Sequence, residues 1–304
     1  MTLESQLLQL LVSGVTLGSI YALIALGFVI IHNVTGIVNF AQGDFAMLGA
    51  LIAVTLHEKT SLFNRVVVVE VNWPLPVAAL LSIVIVTFIG AGLYVLAIRP
   101  ARGASILSLI IITIGASITF RGFGLIAWWT DPYPMPAFSP GPPLEFGGAI
   151  LTRQSLWVMG TTVLILVLLY LFFEHTMFGK ALRACAINRD AARLMGINTD
   201  RMALFSFALS AGVSALAGIV ITPMTFMGYD SGTFLSLKGF VAAIIGSLMS
   251  APGAVIGGLL LGIAESFGAG LGPSAYKDAI AILVLFGVLL VRVGGFLGRP
   301  AESL

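Results

Sequence analysis

Asp44 and Glu265 are acids set inside long apolar runs, "NFAQGDFAMLGA" and "LLLGIAESFGAG". A carboxylate in hydrocarbon costs about 2.5–3.5 kcal/mol on insertion scales, so such a group faces a partner, an ion or a cavity. Asn39 and Gln42 lie just before Asp44 and can each donate and accept hydrogen bonds. Thr113 and Ser117 share a face of another apolar run, at i, i+4 spacing. Lys238 can pair with Glu265, and extension of its ammonium towards water is a simpler expectation than contact with a solute. With Phe240, Gly246 and Ser247, these residues could line a path for reversible binding of a proton, an ion or a small solute.

The sequence offers nothing for making or breaking bonds. "FGKA" and "SLKGF" lack the spacing of a phosphate-binding loop. Three scattered histidines and the single Cys185 provide no metal-ligand cluster and no nucleophile–base pair. No catalytic residue, bound cofactor, metal or nucleic-acid partner is expected.

The surrounding elements are membrane spans. Of 304 residues 59% are hydrophobic and 9% charged, with a mean hydropathy of +1.08. A soluble domain is nearer 25% charged. Apolar runs long enough to cross a bilayer recur along the chain. The expected spans are 7–31, 36–57, 74–98, 104–128, 154–173 and 202–226, a broken region at 236–268 with Pro252–Gly253 as its interruption, and 275–293. The fold class is an all-α polytopic membrane protein of eight to nine segments, one domain over 1–304. Interrupted segments near Asn39 and Pro252 occupy matching places in two halves. That arrangement suggests an inverted repeat with a transport site at its interface.

Lys and Arg orient the chain. Nine of the fifteen basic residues fall in the 99–102 turn, the 174–201 segment and the C-terminus, which places those parts in the cytoplasm and the N-terminus outside. Within 174–201, "AINRDAARLMGINTDRM" carries five Arg or Asp among seventeen residues. It reads as a complete short helix: Asn188 as N-cap, Asp190 in the first turn, Arg193 in the last, and Gly196 as the left-handed stop. A helix fixed at both ends can transmit a push where a loose loop would absorb it.

"GVTLGSIYALIALGF", "GIVNFAQGDFAMLGA", "FGKALRACAINRDAARLMGINTDRM" and "KGFVAAIIGSLMSAPGAVIGGLLLGIAES" together resemble a membrane subunit of branched-chain amino acid ABC importers, the first of the two paralogous permeases. The resemblance implies a paralogous permease partner, two cytoplasmic ATP-binding subunits that use ATP, an extracytoplasmic solute-binding protein, and a bacterial or archaeal inner membrane. It assigns Gly179, Arg183, Asn188, Asp190, Ala192, Arg193, Leu194, Gly196 and Ile197 to ATPase coupling. Relatives that import urea, short amides or aromatic acids share the framework, and an ion-coupled transporter acting through Asp44 or Glu265 is the rival reading. Where this chain has Gln42 and Asp44 the family commonly carries His and Glu.

Overall fold

The computed structural model describes residues 3–63, 66–272, 279–284 and 286–287. Helix α1 spans Leu3–Thr35 and α2 Gln42–His57. Helix α3, Leu75–Leu93, continues through a π-turn at Tyr94–Ile98, and α4 (Ile106–Trp128) and α5 (Arg153–His175) follow. The short α6 (Met177–Ile187) and α7 (Arg189–Leu194) lead into α8 (Thr199–Thr225), α9 (Ser231–Ile245) and α10 (Ala251–Leu271). Two antiparallel hairpins, β1–β2 (Thr60–Leu62 with Val67–Val69) and β3–β4 (Leu144–Phe146 with Ala149–Leu151), lie between the helices, and residues 279–284 are helical.

Among the described residues six helices, α1, α3 with its π-turn, α4, α5, α8 and α10, are long and apolar enough to cross a membrane. Helices α2 and α9, at 16 and 15 residues, reach only about 24 and 22 Å at 1.5 Å per residue. Neither spans a hydrocarbon core of about 30 Å alone. The expected last span, 275–293, lies largely outside the described residues, as do Arg292 and Arg299.

The sheath of exposed Leu, Ile, Val and Phe on α3, α4 and α5 is lipid-like surface, while Ile20–Ile31 of α1 is buried on every side. A helix apolar all round belongs in such a centre. Close contacts rest on small residues. A β-carbon on Gly18 would come within 2.7 Å of Leu259 in α10, and one on Gly262 within 2.3 Å of the Gly18 nitrogen. The Gly258/Gly262 pair therefore seats α10 on α1 within one chain, while Gly253/Gly257 faces α9.

The packing follows an exchange of halves. Helix α1 packs along α10 as α8 packs along α3; α1 meets α9 as α8 meets α2; and α2 and α9 meet each other. Exchanging α1, α2 and α3 with α8, α9 and α10 leaves this pattern intact, as an inverted repeat requires, with α5 as connector.

Three expected boundaries are corrected. Residues 36–41 are not helix, in line with the expected interruption near Asn39, and the 36–57 segment is cut back to α2 at Gln42–His57. Pro252 does not break the α9–α10 region. It sits in the first turn of α10, where its missing N–H costs nothing, behind a Ser250 cap that accepts from the Gly253 N–H (3.2 Å). The break falls at Gly246 and at Ser247, whose φ of 73° turns the chain.

Candidate functional site

The non-helical stretch 36–41 runs back beside α1 and brings Gln42 to Gly27, about two turns before the end of that helix. Backbone freed at membrane depth must be satisfied by protein, and here it is. The Phe40 N–H donates to Thr113 Oγ1 (3.2 Å), the Ala41 N–H donates to Asn39 Oδ1 (3.2 Å), and the Phe40 carbonyl accepts from Ser236 Oγ (3.0 Å). Phe240 packs its ring on Phe40 with centroids 5.3 Å apart. The Gln42 amide donates to the Ser210 carbonyl (3.3 Å) and to Ser214 Oγ, and accepts from Ser210 Oγ (2.9 Å). Asn39, Gln42, Thr113 and Phe240 are thus brought together as braces for this segment.

Asp44 lies in the first turn of α2 and is fully buried. The first turn of α9 meets it there. The Gly43 N–H donates to Ser236 Oγ (2.7 Å), and a β-carbon on Gly232 would sit 2.3 Å from Asp44 Oδ1. The positive ends of two short helices therefore converge on one carboxylate. Neither carboxylate oxygen accepts a hydrogen bond among the described residues. Ser117 faces it, and the Arg121 guanidinium on α4 stands 4.0 Å away. Asn39 Nδ2 is likewise buried without an acceptor.

In a second polar cluster Lys238 forms the ion pair with Glu265: Nζ donates to Glu265 Oε1 (2.7 Å), while the Tyr21 hydroxyl donates to Oε2 (2.7 Å). Lys238 also stands 5.6 Å from the centre of the Tyr21 ring. The pair links α9 to α10 and α1 in the interior. Gly246 and Ser247 lie apart from both clusters, at the α9–α10 turn, where a β-carbon on Gly246 would collide with the Gly253 carbonyl at 1.9 Å.

The third region is the α6–α8 segment. Gly179 is fixed by a tight bend, because a β-carbon there would lie 2.1 Å from the Phe172 carbonyl. Arg183 forms a two-pronged pair with Glu174, which pins α6 to the end of α5. Asn188 Oδ1 accepts from the Ala191 N–H (2.9 Å) and starts α7. The far end is a full Schellman stop: Gly196, at φ 84°, donates to the Arg193 carbonyl (3.1 Å), and Ile197 donates to that of Ala192 (3.0 Å). Asp190 and Arg193 take the expected first-turn and last-turn places. Ala192 is buried against the body, yet Ile187, Leu194 and Met195 are 87%, 89% and 83% exposed. Exposed apolar side chains thus flank a short polar helix that is terminated at both ends.

A family model described as the permease component of the branched-chain amino acid transport system matches residues 10–289. The chain belongs to that family. It is 34% identical, over 96% of both chains, to the high-affinity branched-chain amino acid transport system permease protein LivH of Escherichia coli K12. The same identity and coverage hold for BraD, the corresponding permease of Pseudomonas aeruginosa. It is also 31% identical, over 60% of its own length and 51% of the relative's, to the autoinducer 2 import system permease LsrC of Yersinia enterocolitica. This family member is a multi-pass membrane protein whose relatives are named as transport permeases rather than enzymes.

Sequence reasoning did not select Ser210, Ser214, Ser236 or Tyr21 for this permease's polar clusters. Ser210 and Ser214 stand at i, i+4 in "ALSAGVSALAG", a signal of one polar stripe on an otherwise apolar helix. Trp128, the last residue of α4, is buried and donates to Thr55 Oγ1 (2.8 Å), locking α4 to α2.

Proposed function

We propose that this chain is the transmembrane subunit forming half of the translocation pore of an ATP-driven importer for branched-chain or other apolar amino acids. Its partners are a paralogous permease, two cytoplasmic ATP-binding subunits and an extracytoplasmic solute-binding protein. The assembly sits in the inner membrane of a bacterium or archaeon, with α7 on the cytoplasmic side. The chain itself binds no cofactor; ATP is used by the partner subunits.

The observation that carries this reading is α7. Asn188 and the Gly196 stop fix its two ends, Arg183 pins the preceding helix, and Ile187, Leu194 and Met195 stand out bare. Burial of each such side chain in a groove of an ATP-binding subunit is worth about 1.5–3 kcal/mol, enough to hold a mechanical contact through a cycle. Closure of the ATP-binding subunits then moves α7 and rocks one half of the repeat against the other. The solute path follows the repeat interface. Asp44 and Ser117 are its polar contacts, and Asn39, Gln42, Thr113 and Phe240 shape it from behind.

The test is uptake of labelled leucine, isoleucine and valine into proteoliposomes holding the full assembly, with and without internal ATP. Saturable, ATP-dependent uptake is expected. Uptake by this chain alone, driven by an ion gradient, would replace the reading with ion-coupled transport. ATP-dependent uptake of urea, short amides or aromatic acids in preference to leucine would keep the architecture and change the solute.

A further inference from the structure

Beneath α7 lies a cavity of about 300 Å³, separate from the Asp44 and Lys238 clusters. Its walls come from the end of α1, the π-turn after α3, α4, α7 and the start of α8. One side carries Arg102 paired with Asp200, which ties the α3–α4 turn to α8. The other side belongs to α7 and supplies Arg189, Asp190 and Arg193, for which no ion pair occurs among the described residues. The floor is apolar: Ile98, Leu109 and Ala203 are all buried.

Tyr94 is the decisive residue. Its side chain lines the cavity and is 3% exposed, and its ring rests on Phe207. Its hydroxyl has no hydrogen-bond partner, although Asp200, Arg102, Arg189 and Arg99 are the charges that act on it. An orphaned buried hydroxyl costs about 1–3 kcal/mol, a penalty that a bound polar ligand would lift. The π-turn is what sets Tyr94 in this position, and such turns recur at functional sites.

The chemistry of the walls specifies the occupant. Arginine guanidinium groups and a tyrosine hydroxyl donate to a carboxylate. Asp190 accepts from an ammonium. The apolar floor receives a small hydrocarbon side chain, which an inorganic anion would leave uncovered. The volume stands at the lower end of small-molecule sites.

We propose that this cavity binds a zwitterionic amino acid with an apolar side chain from the cytoplasmic side, and that occupancy holds α7 against α3, α4 and α8 so that import slows. The proposal rests on the solute class given above. It makes the imported product a brake on its own uptake, placed at the element that receives the push.

Two measurements test it. In the first, labelled leucine is dialysed against the purified permease–ATPase complex without its binding protein, for wild type, Tyr94→Phe and Asp44→Asn. Binding that survives Asp44→Asn and is lost in Tyr94→Phe is expected, with no competition from inorganic phosphate. Binding lost only in Asp44→Asn, displacement by phosphate, or no binding at all overturns the site. In the second, initial uptake is compared between empty vesicles and vesicles preloaded with unlabelled leucine. The preloaded-to-empty ratio should fall several-fold in wild type and return to near one in Tyr94→Phe. Equal ratios in the two proteins overturn the brake. Absent uptake from empty vesicles contradicts the importer reading instead, and the dialysis result then decides the cavity alone.

Discussion

A β-carbon placed on Gly232 would stand 2.3 Å from the carboxylate of Asp44, and one on Gly43 would stand 2.2 Å from the Gly232 carbonyl. The first turns of α2 and α9, one from each half of the repeat, are therefore in backbone contact, and a buried acid lies at the junction. No larger residue fits at either glycine without parting the two halves.

Gly232→Ala should destabilise the assembled permease by about 1–3 kcal/mol, the usual cost of overpacking. Shortening the facing side chain should recover part of that loss. The check is the thermal midpoint of the purified complex for Gly232→Ala, Asp44→Ala and the double variant. Simple additivity of the two losses would show that the residues do not press on each other.

Lys238 and Glu265 form an interior pair supported by Tyr21. Removing one partner leaves an uncompensated buried charge, at about 3–5 kcal/mol, whereas replacing both with apolar residues is close to neutral. Lys238→Met and Glu265→Leu should each sharply lower the yield of folded protein, and the double variant should restore it. Equal damage in all three would mean that charge compensation is not what the pair provides.

Cys185 is buried on α6, and desolvation raises its thiol above the ordinary cysteine value. Little thiolate forms at neutral pH, and the thiolate is the species that reacts. Maleimide should therefore label the native chain far more slowly than a Leu194→Cys variant in a Cys185→Ala background. Equal rates would show that α6 does not stay packed on the bundle.

The α7 stop depends on a left-handed residue. Gly196→Val places a branched side chain at φ 84°, and Asn188→Ala removes a cap worth about 1 kcal/mol. Both, and charge reversal in Arg193→Glu, should lower ATP hydrolysis stimulated by the loaded binding protein while the complex still inserts. Unchanged stimulation would remove α7 from the coupling path.

What the sequence disclosed divides by range. Helix α7 was legible to the residue because its cap and stop act within three or four positions. The start of α2 was legible only as an interruption near Asn39, without its bounds: residues 36–41 are held out of helix by Thr113 and Ser236, which lie 73 and 196 positions away. Pro252 misled for the opposite reason. It is a strong local signal with two meanings, breaking a helix interior and opening a first turn, and only the Ser250 cap decides between them. The Lys238–Glu265 pair was available as a possibility, but burial of both groups comes from α1 packing over them. Tyr94 gave no sign in "GLYVLAIRP", since the π-turn that places it depends on the packing of α3 against α8.

The central claim is that a separate motor grips this chain through α7. The most direct measurement is co-purification of the tagged chain from its native membrane, as wild type and as a Leu194→Asp, Met195→Asp double variant. Wild type should retain a second permease and two ATP-binding subunits, while the variant keeps the permease partner and loses the ATP-binding subunits. A chain that comes away alone, or a variant that retains the ATP-binding subunits in full, would contradict it.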